Sequence, residues 1–206
     1  MGRLTVTTFV SLDGVMQAPG GPGEDVDADF AYGGWLVPHL DEAGGEAVGR
    51  LHLDAAGFVL GARSYDLLGS HWPRVPAEGN PLAAKLNGSP KYLVSRTRTS
   101  GDWSPTTVVS DLAALRRAAD DADGDLLVIG SSGLLQSVLA EGLVDALHVW
   151  TFPVVLGAGK RLFGVGTRAA GLELQEAEVF PSGVIRATYA VAGEPRTGSF
   201  ALDDPA

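Results

Sequence analysis

The feature that most constrains this chain is an unbroken apolar run at residues 126–129 (LLVI). It is followed at once by Gly130-Ser131-Ser132-Gly133 and then by a helix-like stretch at 134–141 that stops at Gly142. A strand with no polar alternation must be buried on both faces, and such strands belong to parallel sheets whose crossovers are helices. At the glycine-flanked turn the backbone can approach a ligand closely. The first amides of the helix, and its positive dipole, then point at an anion. Taken alone, the segment suits a pyrophosphate or a plain capped turn equally well.

The strand–turn–helix pattern recurs. Residues 57–60 lead into Gly61-Ala62-Arg63-Ser64 and a helix, and the KYLV run ends in Ser95-Arg96-Thr97. Residues 4–11 alternate as a strand does, 147–152 form another strand, and 172–180 and 184–191 are joined by Pro181-Ser182-Gly183, a hairpin signal. A helix is expected over 36–53, with Leu36, Leu40, Ala43 and Ala47 on one side, weakened by Gly44, Gly45 and Gly49. Another is expected after Ser110 or Asp111, burying Leu112, Leu115, Ala118 or Ala119, and Ala122. The expected fold is therefore α/β: a mostly parallel central sheet flanked by helices, with a C-terminal antiparallel hairpin. It forms one domain over residues 1–193, with a flexible C-terminal tail at 194–206.

Composition narrows the function. The net charge of -10 repels phosphate backbones and anionic lipid, which argues against nucleic-acid and membrane partners. Any anionic ligand must be held by local cations and backbone amides. The absence of cysteine excludes disulfides, thiolate metal sites and cysteine nucleophiles. The four histidines are not spaced as a metal pair, so no metal is expected. No signal-peptide core or 20-residue apolar span is present, and a cytoplasmic protein is the default expectation.

Three strand ends suit phosphate: Gly130 to Gly133; Arg63 beside the Ser64 helix start; and Arg96 between two hydroxyls, where a 2′-phosphate would fit. Each has a plainer alternative as a turn or a solvated arginine, but together on successive strands of an acidic chain they are harder to dismiss. Gly157-Ala158-Gly159-Lys160-Arg161 departs from the Walker loop, since Val154 and Arg161 stand where Gly and Ser or Thr are required. Ser131 and Ser132 are not in a GxSxG elbow.

Taken in order, FVSLDGVM (9–16), LGARSYDLL (60–68), KYLVSRT (91–97), LLVIGSSGLLQSVL (126–139) and PVVLGAGKRLF (153–163) resemble one reductase family. It includes the C-terminal domain of the bifunctional riboflavin-biosynthesis deaminase-reductase and shares the dihydrofolate reductase fold. The resemblance implies NADPH as cofactor. Gly61, Ala62, Arg63 and Ser64 would form the cofactor-phosphate helix start. Ser95, Arg96 and Thr97 would form the adenosine-phosphate segment, and Gly130, Ser131, Ser132, Gly133 and Leu134 the pyrophosphate turn. It sets Asp13 beside nicotinamide and substrate, and Thr151 on a pocket-lining strand position. The sequence departs from the riboflavin-pathway pattern after SLDG, reading APGGPGEDVDADFAYGGW, and no deaminase domain is present. A stand-alone branch is implied.

The function expected is NADPH-dependent hydride transfer to a small heterocyclic molecule, pterin-like or riboflavin-precursor-like. The alternative is a non-catalytic NADP(H)-binding sensor or regulatory protein. Asp13 is the candidate proton source, and Trp35 and Phe152 are candidate flat walls for a ring. The Gly- and Pro-rich loop at 20–33 is expected to be mobile without ligand and to close over substrate. A homodimer is expected because the FVSLDGVM strand, residues 147–152 and the terminal hairpin carry apolar residues at both alternations, and the family resemblance also implies dimers.

Overall fold

A computed structural model describes residues 1–200; residues 201–206, the end of the expected tail, lie outside the described residues. Eight strands form one sheet in the order β4-β3-β2-β5-β1-β6-β8-β7. β1 (Leu4–Ser11), β2 (Gly57–Gly61), β3 (Lys91–Val94), β4 (Thr106–Val109), β5 (Leu126–Val128) and β6 (Ala146–Phe152) run parallel. β7 (Leu172–Val179) and β8 (Ile185–Val191) add the antiparallel hairpin, β8 pairing with β6. Parallel strands with crossover helices and a terminal hairpin are the expected fold class.

Alternate residues of the central strands feed two cores. Val59, Leu126 and Val128 face α4 (Leu112–Asp121) and α5 (Ser132–Ala140), meeting Leu115, Ala119, Leu135 and Val138. Phe58, Leu60 and Leu127 face the other way, against Tyr65 of α2 (Ala62–His71) and Leu86 of α3 (Pro81–Gly88). Beyond β5 the same face continues as an aromatic core. There Trp35, Trp150, Phe152 and Phe180 pack on Ala47 of α1 (Glu42–Asp54). Burying each such ring or Leu contributes about 1.5–3 kcal/mol, so these clusters rather than helix propensity hold the layers together.

Two helix starts differ from the sequence expectation, and two elements are additional to it. α1 begins at Glu42 rather than 36: residues 37–39, containing Pro38, make a 3-10 turn, and Asp41 caps the true helix by accepting from Gly44 N–H at 2.8 Å. α5 starts at Ser132, two residues early. α3 and β4 were not anticipated. α3 is a short helix opened by Pro81 and capped by Asn80, residues that also signal turns; β4 is a four-residue edge strand after Pro105. No helix of the described residues is long and apolar enough to cross a membrane.

The hairpin is built differently from the rest. Leu172, Leu174 and Val179 of β7 lie on one face with Ile185, Tyr189 and Val191 of β8. Leu172, Leu174, Val179, Ile185 and Val191 are all exposed. The opposite face carries Glu176 and Glu178, both paired with Arg186.

Candidate functional site

β5 ends at Val128 because Gly130 turns the chain into α5. β1 runs on, pairing with β5 only as far as Val6 but with β6 as far as Ser11. On its β5 side, therefore, the backbone of Thr7, Thr8 and Phe9 has no ladder partner, and the sheet splits. A cavity of about 320 Å³ fills the split, bounded by those residues, Ile129 to Ser132, Met16 to Gly20, His52 of α1 and Leu67 and Leu68 of α2. The Thr8 hydroxyl is buried without a hydrogen-bond partner among the described residues.

The two predicted glycine turns meet at this split. Gly61 N–H donates to Gly130 O at 3.0 Å. Gly130 has φ +123°, and a Cβ there would lie 2.5 Å from Ser64 Oγ; a Cβ on Gly61 would collide with Ser131 Oγ. The close approach of two helix starts thus requires glycine at both positions. Arg63, Ser64, Gly130, Ser131 and Ser132 all line the cavity. Gly133 lines a second one beside it, of about 490 Å³, with Arg63, Ser131, Ser132, Lys160 and Arg161. Leu134 is core, and Ala62 packs on the second hydrophobic cluster. Ser95, Arg96 and Thr97 follow β3, next to β2, so the three predicted segments end neighbouring strands in the order β3-β2-β5. Ser95 Oγ accepts from the N–H groups of Thr97 and Arg98, Arg96 is exposed, and Arg98 pairs with Asp66 of α2 at 2.5 Å.

The loop between β1 and α1 reaches over the cavity and is tied there. Gln17 donates to the carbonyls of Asp25 and Asp27, Trp35 Nε1 donates to Gln17 O at 2.8 Å, and Glu24 accepts from Gly20 N–H at 2.6 Å. Arg63 bonds Asp25 at 2.6 Å and Asp27 at 2.9 Å, and Lys160 bonds the same two carboxylates at 2.5 and 2.7 Å. These cations hold Asp27 at about 2, Arg63 first and then Lys160. The strong predicted anion-binder Arg63 is thus already engaged by acids of its own chain.

Asp13 and Thr151 sit apart from the split, on another cavity of about 400 Å³ shared with Arg161. The Asp13 carboxylate accepts from Ser11 Oγ, from Leu156 and Gly157 N–H, and from Arg161. These donors, Ser11 first, hold it well below the usual carboxylate range, so it stays ionised. Trp35 and Phe152 stack edge-to-face at 5.5 Å inside the aromatic core and do not line the central cavity.

Of the titratable groups on the cavity wall, sequence reasoning found Arg63 but missed His52 and Glu24. His52 gives Nδ1–H to Val48 O at 2.8 Å, and burial pushes its pKa down, leaving a neutral ring on the wall. Burial pushes the Glu24 carboxyl up, and it too lines the cavity. Nothing local in the sequence distinguishes these two from surface residues; only the helix packing and the loop path bring them in.

The comparisons with known proteins agree with this architecture. The chain is 25% identical over 191 residues to the uncharacterized protein YyaP of Bacillus subtilis, covering 91% of this chain and 94% of that one. Its fold matches a putative riboflavin biosynthesis protein from Shewanella (TM-score 0.66, 21% identity, 92% of this chain and 99% of that one). It also matches a pyrimidine reductase-like protein from Corynebacterium diphtheriae (TM-score 0.59, 15% identity, 94% and 93%). Acinetobacter baumannii RibD matches with TM-score 0.61 and 13% identity over 93% of this chain and 58% of that longer one. The family model described as the RibD C-terminal domain covers residues 3–186, and the chain belongs to that family.

Proposed function

We propose that the protein is an NADPH-dependent reductase that transfers a hydride to a small heterocyclic molecule held in the central cavity. The observation that carries this reading is the split between β1 and β5, where unpaired strand backbone faces a glycine cradle and two helix starts. Open main-chain N–H and C=O groups suit the carboxamide of a nicotinamide, and converging helix starts suit its diphosphate. Gly61 to Ser64 and Gly130 to Gly133 would hold that diphosphate, and Ser95, Arg96 and Thr97 the adenosine phosphate. NADPH would supply the hydride when bound; the chain supplies orientation and a mostly apolar cavity. Leu36, Leu40, Leu67 and Leu68 give that cavity its apolar walls, while Trp35 and Phe152 support it from the core beneath. The bound proton donors at Asp13 keep it ionised, which favours Glu24 as the acid at the cavity.

Cofactor titration by calorimetry tests the reading. Charge-assisted bonds to phosphate are worth about 1.5–3 kcal/mol each, so Arg96 gripping the 2′-phosphate through two of them would favour NADPH over NADH by roughly 10²-fold or more. Arg96→Ala is expected to weaken NADPH strongly and leave NADH unchanged, and Arg63→Ala to weaken both. Equal affinity of the wild type for the two cofactors overturns the assignment.

The same reading includes a homodimer. Among the described residues the exposed apolar stripe across β7 and β8 packs mainly on the hairpin itself and β6, with Leu139 of α5 and the 163–170 segment only at its Leu172–Val191 end. A second copy would cover it. Light scattering at micromolar concentration is expected to give twice the 21.3 kDa chain mass; a particle of single-chain mass counts against it.

A further inference from the structure

Arg63, Asp25, Lys160 and Asp27 close a ring of alternating charge. Around it the contacts are Arg63 Nη1 to Asp25 Oδ1, 2.6 Å; Asp25 Oδ2 to Lys160 Nζ, 2.5 Å; Lys160 Nζ to Asp27 Oδ2, 2.7 Å; and Asp27 back to Arg63 through both carboxylate oxygens, 2.9 and 3.1 Å. The ring stands between two cavities. Asp25 and Arg63 line the central one; Asp27, Arg63 and Lys160 line its 490 Å³ neighbour. Its cations come from the fixed scaffold, Arg63 from the first turn of α2 and Lys160 from a turn bridged to the loop through Gln17. Its acids come from the loop, where Ala28 and Asp29 adopt left-handed backbone angles (φ 56° and 52°). Arg161 lines the second cavity too, but its guanidinium is bound to Asp13.

Formally the ring is neutral, two cations against two carboxylates. An organic diphosphate offers the same count of negative charge in a comparable span. We propose that Lys160 and Arg63 are a diphosphate-binding pair whose resident occupants are the Asp25 and Asp27 carboxylates. A diphosphate ligand binds by exchange, releasing the loop acids to water and joining the two cavities. The proposal rests on the cofactor reading above for the identity of the natural diphosphate. Because the acids must leave first, the apparent affinity is the intrinsic affinity reduced by the fraction of chains with the ring open. The loop is therefore a competitor of the ligand as well as its cover.

Calorimetric titration of the full chain with inorganic pyrophosphate and, separately, with NADPH tests this exchange. Asp27→Asn removes one competing charge from an exposed position. It is expected to tighten both ligands at least about tenfold, the effect of raising a competent fraction that starts near one in ten. Lys160→Gln is expected to weaken both. Amide hydrogen exchange at residues 20–30 is expected to quicken when pyrophosphate is added. Unchanged or weaker binding by an Asp27→Asn protein that melts at the wild-type temperature overturns the exchange. If Asp27→Asn tightens pyrophosphate while NADPH binds no variant, the diphosphate pair stands and the cofactor reading falls. If wild type and Asp27→Asn bind NADPH equally, the cofactor reading stands and the exchange falls.

Discussion

Both edges of the central sheet carry arginine–aspartate networks, and the two are put to different use. At the edge where the parallel strands begin, Arg116 of α4 bonds Asp145 at 2.7 Å, Asp120 at 2.9 Å and the carbonyls of Gly2 and Leu143. Asp145 in turn accepts from Leu4 N–H at 2.7 Å, and Arg3 pairs with Asp125 at 2.5 Å. Every partner there sits on, or one residue or a few from, a strand start or on α4. At the edge where the strands end, the same residue types form the Arg63–Asp25–Lys160–Asp27 ring, but both acids ride on a glycine-rich loop. Similar distances therefore carry different meanings. Where both partners are fixed by buried elements, an ion pair clamps; where one rides on a loop, a ligand of like charge can replace it. Burial separates the arginines but not the acids: the Arg116 side chain is 23% exposed and that of Arg63 48%, while Asp145 is 40% exposed and Asp25 only 10%. Exposed pairs contribute little to stability, whereas part-buried, multiply bonded ones contribute more.

The contrast is easiest to break at Arg116. Arg116→Met leaves Asp145 with Leu4 N–H but without its cation and frees two carbonyls, and is expected to cost about 2 kcal/mol, lowering the melting temperature by about 4–8 °C, with the calorimetric NADPH titration the same as that of wild type. A melting temperature equal to wild type would show that the strand-start network is no clamp.

A smaller effect is expected at Lys91, the first residue of β3 and part of the same edge. Its ammonium is buried and donates to the carbonyls of Leu86, Asn87 and Ser89 at 2.9–3.2 Å, closing the end of α3, with the Trp103 ring 4.7 Å away. Burial pushes its pKa down to about 8. Between that value and the ordinary Lys value, the unfolded chain holds a proton that the folded chain has lost. Stability therefore rises as pH climbs from about 8 towards 10.5. The full shift would be worth about 3 kcal/mol, but the three carbonyls and the Trp103 face favour the cation, so a rise of about 1–2 kcal/mol is expected. Urea unfolding at stepped pH checks it: Lys91→Met should remove the rise, and a wild-type curve that is flat or falls through this window would refute it.

Much of the fold was legible because its signals are local and repeated. The 126–129 run, the GARS and GSSG turns and the Pro181-Ser182-Gly183 hairpin each announce one element, and their order implies the parallel sheet and its antiparallel edge. α3 and β4 were not legible. Both are short, and the Asn, Pro and Gly residues around them speak for turns as readily as for caps. The candidate site divides the same way. Gly61 to Ser64 and Gly130 to Gly133 announced themselves by their place between strand and helix. Lys160 lay inside a segment read for its glycine pair and its family match, with no role given to the lysine, and Asp25 and Asp27 read as solvating charge on a loop.

The sequence by itself determined which residues stand at strand ends, since apolar run length and glycine position depend only on near neighbours. Tertiary structure alone decided that β1 outruns β5 and opens a cavity. It also decided that Asp13 lies on a different cavity with its charge fixed by four donors. The closing of loop acids on Arg63 and Lys160, residues about 100 positions apart, was likewise a tertiary outcome. Register, burial and ion-pair partners are set by contacts between segments distant in sequence, and no local pattern encodes them.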